Sequence, residues 1–396
     1  MTVSRPHRVL VVSPTPSHPQ DAGNRVRIFA LATAMRSMGH QVHFAHLQME
    51  KGDEAAMADW WGPGYHPIAF ERPAIRRSPW QRIGRRIVRL FDPGLRYTYL
   101  IDEWFDTRSV DALRALDRRH EYDVVLVEYV FMSKALEAFP GSALKIIDTH
   151  DIFTNRHRLY LSNNDRPQWF STTRGQEEKG LRRAGAVIAI QANEQAVFQR
   201  MTSSRVITVG HLVRVEDRWS ARGHAAPFSV LFVGSQNPIN VDSLNHFLAC
   251  VVPLLRRKLE DVRVLAAGTV CERLPDHPAL TKLGPLGDIG EAYSRADLVI
   301  NPVRYGTGLN VKTVEALGFG MPVVTTPVGG KGLGTDAPPL IVAESDEAFA
   351  SAICRVLEEP SVASDLSRQA LAFAVAWNDR HTAALGDLID SATRRD

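Results

Sequence analysis

Residues 298–333 read LVINPVRYGTGLNVKTVEALGFGMPVVTTPVGGKGL, and this stretch decides the fold. It runs from an apolar strand through a glycine-containing loop into a helix, and then through Gly-Met-Pro into a second buried strand. That order is typical of a strand-loop-helix-strand unit of a parallel sheet. Because open α/β sheets bind ligands at the carboxyl ends of their strands, the loop before the helix is the predicted ligand site.

The residues of this loop and helix suit an anion. Gly306 and Gly308 let backbone N–H groups approach it, and a helix that begins near Leu309 directs its positive end at the same point. Lys312 adds a full charge one turn later, and Glu315 shares the same helix face. This pair predicts a nucleotide-sugar, with the lysine on phosphate and the glutamate on ribose hydroxyls. The alternative is a tight turn followed by a surface Lys/Glu pair.

Length and composition predict a globular protein of two domains. The 396 residues exceed what a single hydrophobic core usually supports. The hydrophobic fraction of 44% and the charged fraction of 23% are ordinary for a soluble protein. A formal net charge of +3 is too small for nucleic acid to be the main partner.

The chain has the features of a cytoplasmic protein. Its three cysteines, Cys250, Cys271 and Cys354, are expected to be buried free thiols in a reducing compartment. The sequence enters a strand at once and has no signal-peptide pattern, and no apolar run approaches the ~18 residues that cross a bilayer. We therefore expect a cytoplasmic location, and peripheral contact with the inner face of the membrane stays open.

Alternating strand and helix patterns predict two Rossmann-like domains in tandem, without a GxGxxG fingerprint. The expected domains are 1–215 and 228–374, joined by a linker at 216–227, and the helix at 375–396 is expected to pack back on the first domain. A cleft between two such domains is the natural active site. The predicted strands are Val9–Val12, Gln41–Ala45, Val124–Glu128, Lys145–Asp148, Ala186–Ile190, Val206–Val209, Val230–Val233, Arg263–Ala267 and Leu298–Asn301.

A series of motifs in the second half carries a family resemblance. In chain order they are LFVGS, LAAGT, GPLGD, YSRADLVINP, G-x-G-x-x-x-K-x-x-E-A and G-x-P-V-V-x-T. The series resembles the C-terminal domain of GT-B glycosyltransferases, and within that fold it is most similar to the retaining, nucleotide-sugar-dependent enzymes of family 4. The resemblance is dense in the second domain and sparse in the first. It implies a GT-B fold of two Rossmann-like domains and a hexosyltransferase type of activity.

The resemblance also implies roles for donor-binding residues. Glu315 matches the second glutamate of the family's E-x7-E motif, which binds the donor ribose, whereas the first position of that motif is Thr307. The family typically places an Arg and a Lys after the first strand of this domain, to hold the diphosphate. In this chain uncharged residues replace that pair, and they are Gly234, Ser235, Gln236 and Asn240. Lys312 therefore becomes the leading candidate for neutralising the diphosphate.

In the first domain the expected site residues follow strands. His150 and Asp151 end an apolar strand, and the matching histidine of the family contacts donor sugar or acceptor, so we expect both to be catalytic. The alternative is that they cap the next turn. Arg156 suits an anionic acceptor or the donor phosphates, and its alternative is a solvated surface arginine. Gly23 and Asn24 open the first helix, where the backbone can approach phosphate or acceptor.

No Asp-x-Asp pair or other acidic metal cluster stands at a predicted strand end. A helix N-terminus with Lys312 can stabilise a leaving diphosphate without a metal. We therefore expect no metal ligands and no cofactor, with the nucleotide-diphosphate sugar as a substrate.

A basic segment at 72–91 predicts a further interaction. Seven arginines within 72–91 are interleaved with Trp80 and with aliphatic residues at helical spacing. An amphipathic basic helix of this kind binds anionic membrane surfaces. The alternative is a helix packed on its own domain with a solvated arginine face.

The leading hypothesis is transfer of a sugar to a polysaccharide, a glycolipid or another glycan acceptor, including a lipid-linked one. Two alternatives stay open. A sugar-nucleotide 2-epimerase shares the fold, but it needs several acidic groups around the sugar, and Thr307 is not one of them. A non-catalytic nucleotide-sugar-binding subunit would tolerate both the missing glutamate and the missing Arg/Lys pair.

Overall fold

A computed structural model of the chain describes residues 6–75, 79–80, 92–162, 166–167, 169–220, 227–306, 308–334 and 338–392. The strands, β1 to β13 in chain order, are Arg8–Ser13, Gln41–Leu47, Tyr65–Ile68, Val124–Glu128, Leu144–Asp148, Ala186–Ala189, Arg205–Thr208, Ser229–Val233, Arg263–Ala267, Leu280–Gly284, Leu298–Asn301, Val323–Thr325 and Ile341–Val342. The α-helices, α1 to α12, are Gly23–Ser37, Glu54–Trp61, Ser109–His120, His157–Ser162, Arg174–Leu181, Ala192–Phe198, Pro238–His246, Val252–Arg256, Gly290–Tyr293, Val311–Gly318, Asp346–Glu358 and Pro360–Ile389.

The chain divides into two compact units. The first comprises Met1–Pro19, Leu31–Val209 and Ala383–Asp396, and the second comprises Gln20–Ala30 and Gly210–Thr382. Each unit contains one parallel sheet with helices in its connections. The predicted α/β class is therefore confirmed.

The sheet of the first unit has the strand order β3-β2-β1-β4-β5-β6-β7, and every pairing is parallel. The order reverses between β1 and β4, which is where open sheets of this kind bind ligands. Strand β4 is buried along its whole length because helices cover both faces of a parallel sheet. Its last residue, Glu128, is a carboxylate with no exposed surface.

The sequence between Ala45 and Val124 predicts a long irregular insertion, and the structure shows that this prediction is wrong. It contains the helices α2 and α3 and the edge strand β3. Strand β3 reads YHPI, and most of its residues are partly exposed. Because it contains polar residues and a proline, it has no apolar run that would predict a strand. Pro67 is tolerated because β3 pairs only with β2 and lies at the edge of the sheet.

The sheet of the second unit has the order β10-β9-β8-β11-β12-β13, again with parallel pairings. Here the order reverses between β8 and β11. The loop after β8 begins at Gly234, and the loop after β11 begins after Asn301. Both loops therefore follow the strands at which the order reverses. The block 298–333 supplies β11, the helix α10 and β12, as predicted.

One helical stretch of the second unit, Pro238–Arg256, is long and apolar enough to cross a bilayer, judged by length and composition alone. It joins α7 and α8 through a π-helical segment, Phe247–Val251. Polar residues such as Asp242 and Asn245 interrupt this stretch, so it is not a continuous apolar run of ~18 residues. Phe247 is buried and packs edge-to-face against Phe349 of α11 at 5.8 Å.

The cysteines differ from expectation at one position. Cys271 and Cys354 are buried free thiols, as predicted, whereas Cys250 is exposed. The π-helical segment buries Phe247, Leu248 and Val251, and Cys250 lies on its other face.

Candidate functional site

The helix α10 begins at Val311, two residues later than predicted, because Asn310 occupies its N-cap position. The Asn310 side chain does not cap the helix but donates to the carbonyl of Val328 at 3.0 Å. The first-turn N–H groups of α10 therefore have no side-chain cap at the N-cap position. Such a helix start is suited to an anion.

Lys312 lies in the first turn of α10 and is half-buried. Its Nζ donates to Asn240 Oδ1 at 2.6 Å and lies 4.3 Å from the centre of the Phe232 ring. Burial lowers the pKa of Lys312 to about 7, although the charge of Glu315 opposes this shift. The side chain is thus a poorly solvated cation that an anionic ligand would stabilise.

Glu315 lies one turn further along α10 and accepts a hydrogen bond from the Tyr293 hydroxyl at 3.1 Å. Burial raises the pKa of this carboxyl to about 7, against the effects of the Tyr293 hydrogen bond and of Lys312. Tyr293 is buried and stacks on Phe319 at 4.4 Å, which fixes its position. Burial and Glu315 raise the pKa of Tyr293, so it stays a donor. The alternative of a solvated surface Lys/Glu pair is therefore wrong.

The loop after β8 is held close to Lys312. Asn240 Nδ2 donates to the Ser235 carbonyl at 3.0 Å and contacts Ser235 Oγ at 3.3 Å. A Cβ at Gly234 would lie 2.9 Å from the Phe232 ring, so glycine is required there. The structure therefore brings Gly234, Ser235 and Asn240 together with Lys312, as predicted.

A cation missed in the sequence stands beside this loop. Arg273 Nε donates to the side-chain oxygen of Gln236 at 3.4 Å, and the Gln236 N–H donates to Thr269 Oγ1 at 3.0 Å. Arg273 comes after β9 and 37 residues beyond Gln236, so the sequence does not indicate that the two side chains are neighbours. It is a second positive charge beside the loop after β8.

The glycine loop before α10 is partly described. Among the residues that the structure describes, a Cβ at Gly308 would meet no atom within 4 Å, and one at Gly306 would touch only Val328 at 3.9 Å. This open space suits the approach of a ligand. Leu309 is buried, whereas Thr307 lies outside the described residues.

A buried polar cluster beneath the loop fixes the start of α10. Asn301 Nδ2 donates to Thr313 Oγ1 at 2.8 Å, and Thr313 Oγ1 donates to the Gly329 carbonyl at 2.9 Å. A Cβ at Gly329 would collide with the Thr325 hydroxyl, so this position requires glycine. These contacts tie β11, α10 and the loop after β12 together, and they hold Lys312 and Glu315 in place.

In the first unit, His150 follows the strand β5 and is nearly buried. Its Nε2 lies 2.5 Å from Glu128 Oε2 and 3.6 Å from Asp148 Oδ2. Both carboxylates are fully buried at the ends of neighbouring strands. Among the described residues, Nδ1 of His150 has no hydrogen-bond partner. It is therefore the nitrogen that can serve a ligand.

The backbone of His150 adopts φ 58°, in the left-handed region that few non-glycine residues enter. Its ring stacks on Tyr129 at 4.1 Å with an interplanar angle of 18°. Tyr129 itself has φ 69°. Two residues in this sparsely populated region, one stacked on the other, make this loop a candidate functional position.

Asp151 and Arg156 form an ion pair, with Arg156 Nη1 2.9 Å from Asp151 Oδ2. Asp151 Oδ1 also accepts from the N–H of Ile152 at 2.9 Å. Burial lowers the pKa of Arg156, but Asp151 and Tyr160 outweigh it and raise the pKa overall. Asp151 therefore performs the local turn role that was the alternative for both residues, and His150 does not. Arg156 is not a solvated surface arginine.

The expectation of no acidic cluster at a strand end is also wrong. Glu128, Asp148 and His150 offer ligand atoms within 4.8 Å of one another, a spacing that a metal ion could use. The sequence hid this group because its carboxylates end two different strands. The short Glu128–His150 hydrogen bond already uses the His150 nitrogen.

The remaining predicted positions lie on loops and at helix starts. Gly23 begins α1, and a Cβ there would touch the Val311 side chain at 3.6 Å within the second unit. Asn24 Oδ1 accepts from the N–H of Arg25 at 3.0 Å.

Of the basic segment 72–91, residues 76–78 and 81–91 lie outside the described part. Arg72 stacks on Trp104 at 3.5 Å, and Trp80 is 82% exposed.

Comparisons with known sequences identify the second unit. Residues 227–359 match the profile of the glycosyl transferases group 1. Across almost the whole chain, the protein is 22% identical to an uncharacterized 44.6 kDa protein in the cps region of Klebsiella pneumoniae, with 92% of this chain and 95% of that protein covered.

Solved structures match the whole chain in fold. Sucrose-phosphate synthase from Thermosynechococcus elongatus superposes with a TM-score of 0.67 at 15% identity, covering 96% of this chain and 98% of that one. The pneumococcal O-GlcNAc transferase GtfA, in complex with UDP and GlcNAc, superposes with a TM-score of 0.65 at 11% identity, covering 96% and 99%.

Proposed function

We propose a donor, an acceptor class and a stereochemical outcome from the premise that this chain is a glycosyltransferase of the group 1, GT-B type. The donor is a UDP-sugar, and the acceptor is a glycan or lipid-linked glycan of a surface polysaccharide. The reaction retains the anomeric configuration and uses no catalytic metal. Retention is the outcome that the resemblance to family 4 implies.

The observation that carries the donor assignment is the pair of half-buried charges on α10. Lys312 is poorly solvated and lies against the loop after β8, where a diphosphate would supply the anion that it lacks. Glu315 is held by Tyr293 one turn away, at a distance along the helix that suits the ribose. Arg273 beside Gln236 adds a second charge for the phosphates. The GtfA structure contains UDP, which supports uridine as the base.

Leaving-group stabilisation in this proposal comes from the chain itself. As the bond between sugar and diphosphate breaks, negative charge grows on the diphosphate. The start of α10 and the ammonium of Lys312 face that charge without a metal ion. Catalysis of this kind acts through fixed charges that need not reorganise during the reaction.

The pKa of Lys312 gives a pH prediction. In the free protein its pKa is lowered to about 7, so at pH 8 most of the side chain is neutral. A bound diphosphate raises this pKa, so UDP binding at pH 8 takes up protons. Above pH 7 the affinity for UDP should fall with pH, by no more than about tenfold per pH unit. Isothermal titration calorimetry in buffers of different ionisation enthalpy measures the uptake. Binding that takes up no protons at pH 8, or that strengthens above pH 7, would contradict this role.

In the first unit we assign His150 to the reacting sugar or the acceptor hydroxyl. Glu128 fixes the imidazole through Nε2 and leaves Nδ1 for substrate. Glu128 is thus a positioning residue, and His150 is the group that would touch substrate. At the same loop the guanidinium of Arg156, paired with Asp151, offers further N–H donors to an anionic acceptor.

For the acceptor and location we propose a cytoplasmic protein that contacts the inner face of the membrane through 72–91. The relative from a cps region and the arginine-rich composition of this segment support this proposal. The exposed Trp80 suits a membrane interface. Flotation with phosphatidylglycerol vesicles at low salt tests the contact, and a protein that stays at the bottom of the gradient would exclude it.

A transfer assay tests the function as a whole. The full chain is incubated with UDP-sugars and a polysaccharide or lipid-linked acceptor, with and without EDTA, and the anomeric configuration of the product is read by NMR. We expect transfer with retention that persists in EDTA. Binding of UDP without turnover of any donor would favour the non-catalytic subunit. Activity that EDTA abolishes and Mg²⁺ or Mn²⁺ restores would exclude metal independence.

A further inference from the structure

Three histidines lie together in the first unit, near the amino ends of β2 and β3. His43 is the third residue of β2, and His66 is the second residue of β3. Ala45 pairs with His66, so His43 and His66 project from the same face of the sheet because side chains alternate along a strand. The helix α3 ends at His120 beside them. The cluster lies near the amino ends of its strands, whereas Glu128 lies at the carboxyl end of β4. The cluster is therefore separate from the site around His150.

The three rings are packed against one another. The ring centres of His43 and His66 are 5.1 Å apart, those of His43 and His120 are 4.7 Å apart, and those of His66 and His120 are 5.3 Å apart. His66 Nε2 lies 3.1 Å from His43 Nδ1. One ligand nitrogen from each ring lies within 4.8 Å of the others. Three nitrogens on one tetrahedral Zn²⁺ lie about 3.3 Å apart, since each Zn–N bond is about 2.0 Å.

One nitrogen of the cluster is unsatisfied. His120 Nε2 is buried and has no hydrogen-bond partner among the described residues. A buried polar atom without a partner costs free energy, and a bond to a metal would remove that cost.

Other groups around the cluster oppose the binding of a cation. Arg36, Arg119 and Arg8 place positive charge near the imidazoles and oppose a cation. The Tyr122 hydroxyl lies 2.8 Å from His43 Nδ1, and it competes with a metal for that nitrogen. Three neutral imidazoles on one ion outweigh these effects only for a metal that prefers nitrogen ligands.

We propose that His43, His66 and His120 form a binding site for a divalent transition-metal ion of the Zn²⁺ class, with water as the fourth ligand. Imidazole suits Zn²⁺, Cu²⁺ and Ni²⁺, whereas Mg²⁺ and Ca²⁺ prefer oxygen ligands. The ion would link β2, the edge strand β3 and the end of α3. Its effect is therefore on stability rather than on sugar transfer.

Metal binding by the full chain tests this proposal. The protein is stripped with a chelator and dialysed against Zn²⁺, and the bound metal is counted by mass spectrometry. We expect the His66→Ala and His120→Ala variants each to bind one equivalent less than wild type, with a smaller rise of Tm on adding Zn²⁺. The control His277→Ala removes an imidazole from the second unit and should bind as wild type does. Mg²⁺ should leave Tm unchanged.

Two results would overturn the proposal. One is equal Zn²⁺ stoichiometry in wild type, His66→Ala and His120→Ala, with circular dichroism showing that all three are folded. The other is a wild-type protein that binds no Zn²⁺ and shows no tetrahedral absorption with Co²⁺. An ion on His246, Cys250 and Asp346, which also offer ligand atoms within 4.8 Å of one another, would not change the difference between the variants.

Discussion

Replacing Lys312 with methionine is expected to weaken UDP binding roughly 10- to 100-fold. A hydrogen bond to a charged group contributes about 1.5–3 kcal/mol, and about 1.4 kcal/mol corresponds to a factor of ten in affinity. Methionine keeps an unbranched stem against the Phe232 ring, so the packing at this site is largely preserved. Calorimetric titration of UDP into the folded variant measures the loss.

The matched control is Lys331→Met, which removes a lysine that is exposed in the same unit. It should bind UDP as wild type does, because the charge of an exposed lysine is well solvated and screened by salt. Equal UDP affinity in Lys312→Met and wild type would remove Lys312 from the diphosphate site. An equal loss in both lysine variants would reduce its role to general electrostatic attraction.

Replacing His150 with asparagine is expected to lower kcat roughly 100-fold or more, the range for a lost acid–base group. Asparagine tolerates the left-handed backbone that His150 adopts, so the loop should keep its conformation. UDP affinity should be unchanged, since the donor nucleotide is assigned to Lys312 and Glu315. Steady-state kinetics with the preferred UDP-sugar, together with UDP titration, separate the two effects.

The Glu128→Gln variant distinguishes positioning from bulk structure. It keeps the shape of the side chain but removes the charge that holds His150 Nε2. A positioning role predicts a lower kcat with a changed pH profile and an unchanged Tm. Wild-type kinetics in both His150→Asn and Glu128→Gln would exclude this loop from the reaction.

The buried strands of the core could be predicted because each consists largely of consecutive apolar residues. Val124–Glu128, Arg263–Ala267 and Leu298–Asn301 have the predicted bounds, and each is buried over most of its length. The edge strands β3 and β10 could not be predicted in this way. They are half-exposed, and their sequences YHPI and LTKLG lack an apolar run.

The candidate donor loop could be proposed from the sequence because Gly306, Gly308, Lys312 and Glu315 are neighbours along one loop and helix. Groups joined only by the fold gave no signal in the sequence. Glu128 reaches His150 from 22 residues away, and Tyr293 reaches Glu315 from 22 residues away. Arg273 reaches Gln236 across 37 residues. Such partners require the strand order, which places the ends of distant strands side by side.

The central claim is that α10 and the loop after β8 hold the diphosphate and ribose of the donor. A crystal structure of the protein with UDP tests it most directly. We expect a phosphate oxygen about 3 Å from Lys312 Nζ and a ribose hydroxyl about 3 Å from a Glu315 oxygen, the usual distances of charge-assisted hydrogen bonds. A nucleotide bound elsewhere, or one whose phosphates do not contact Lys312, would contradict the account.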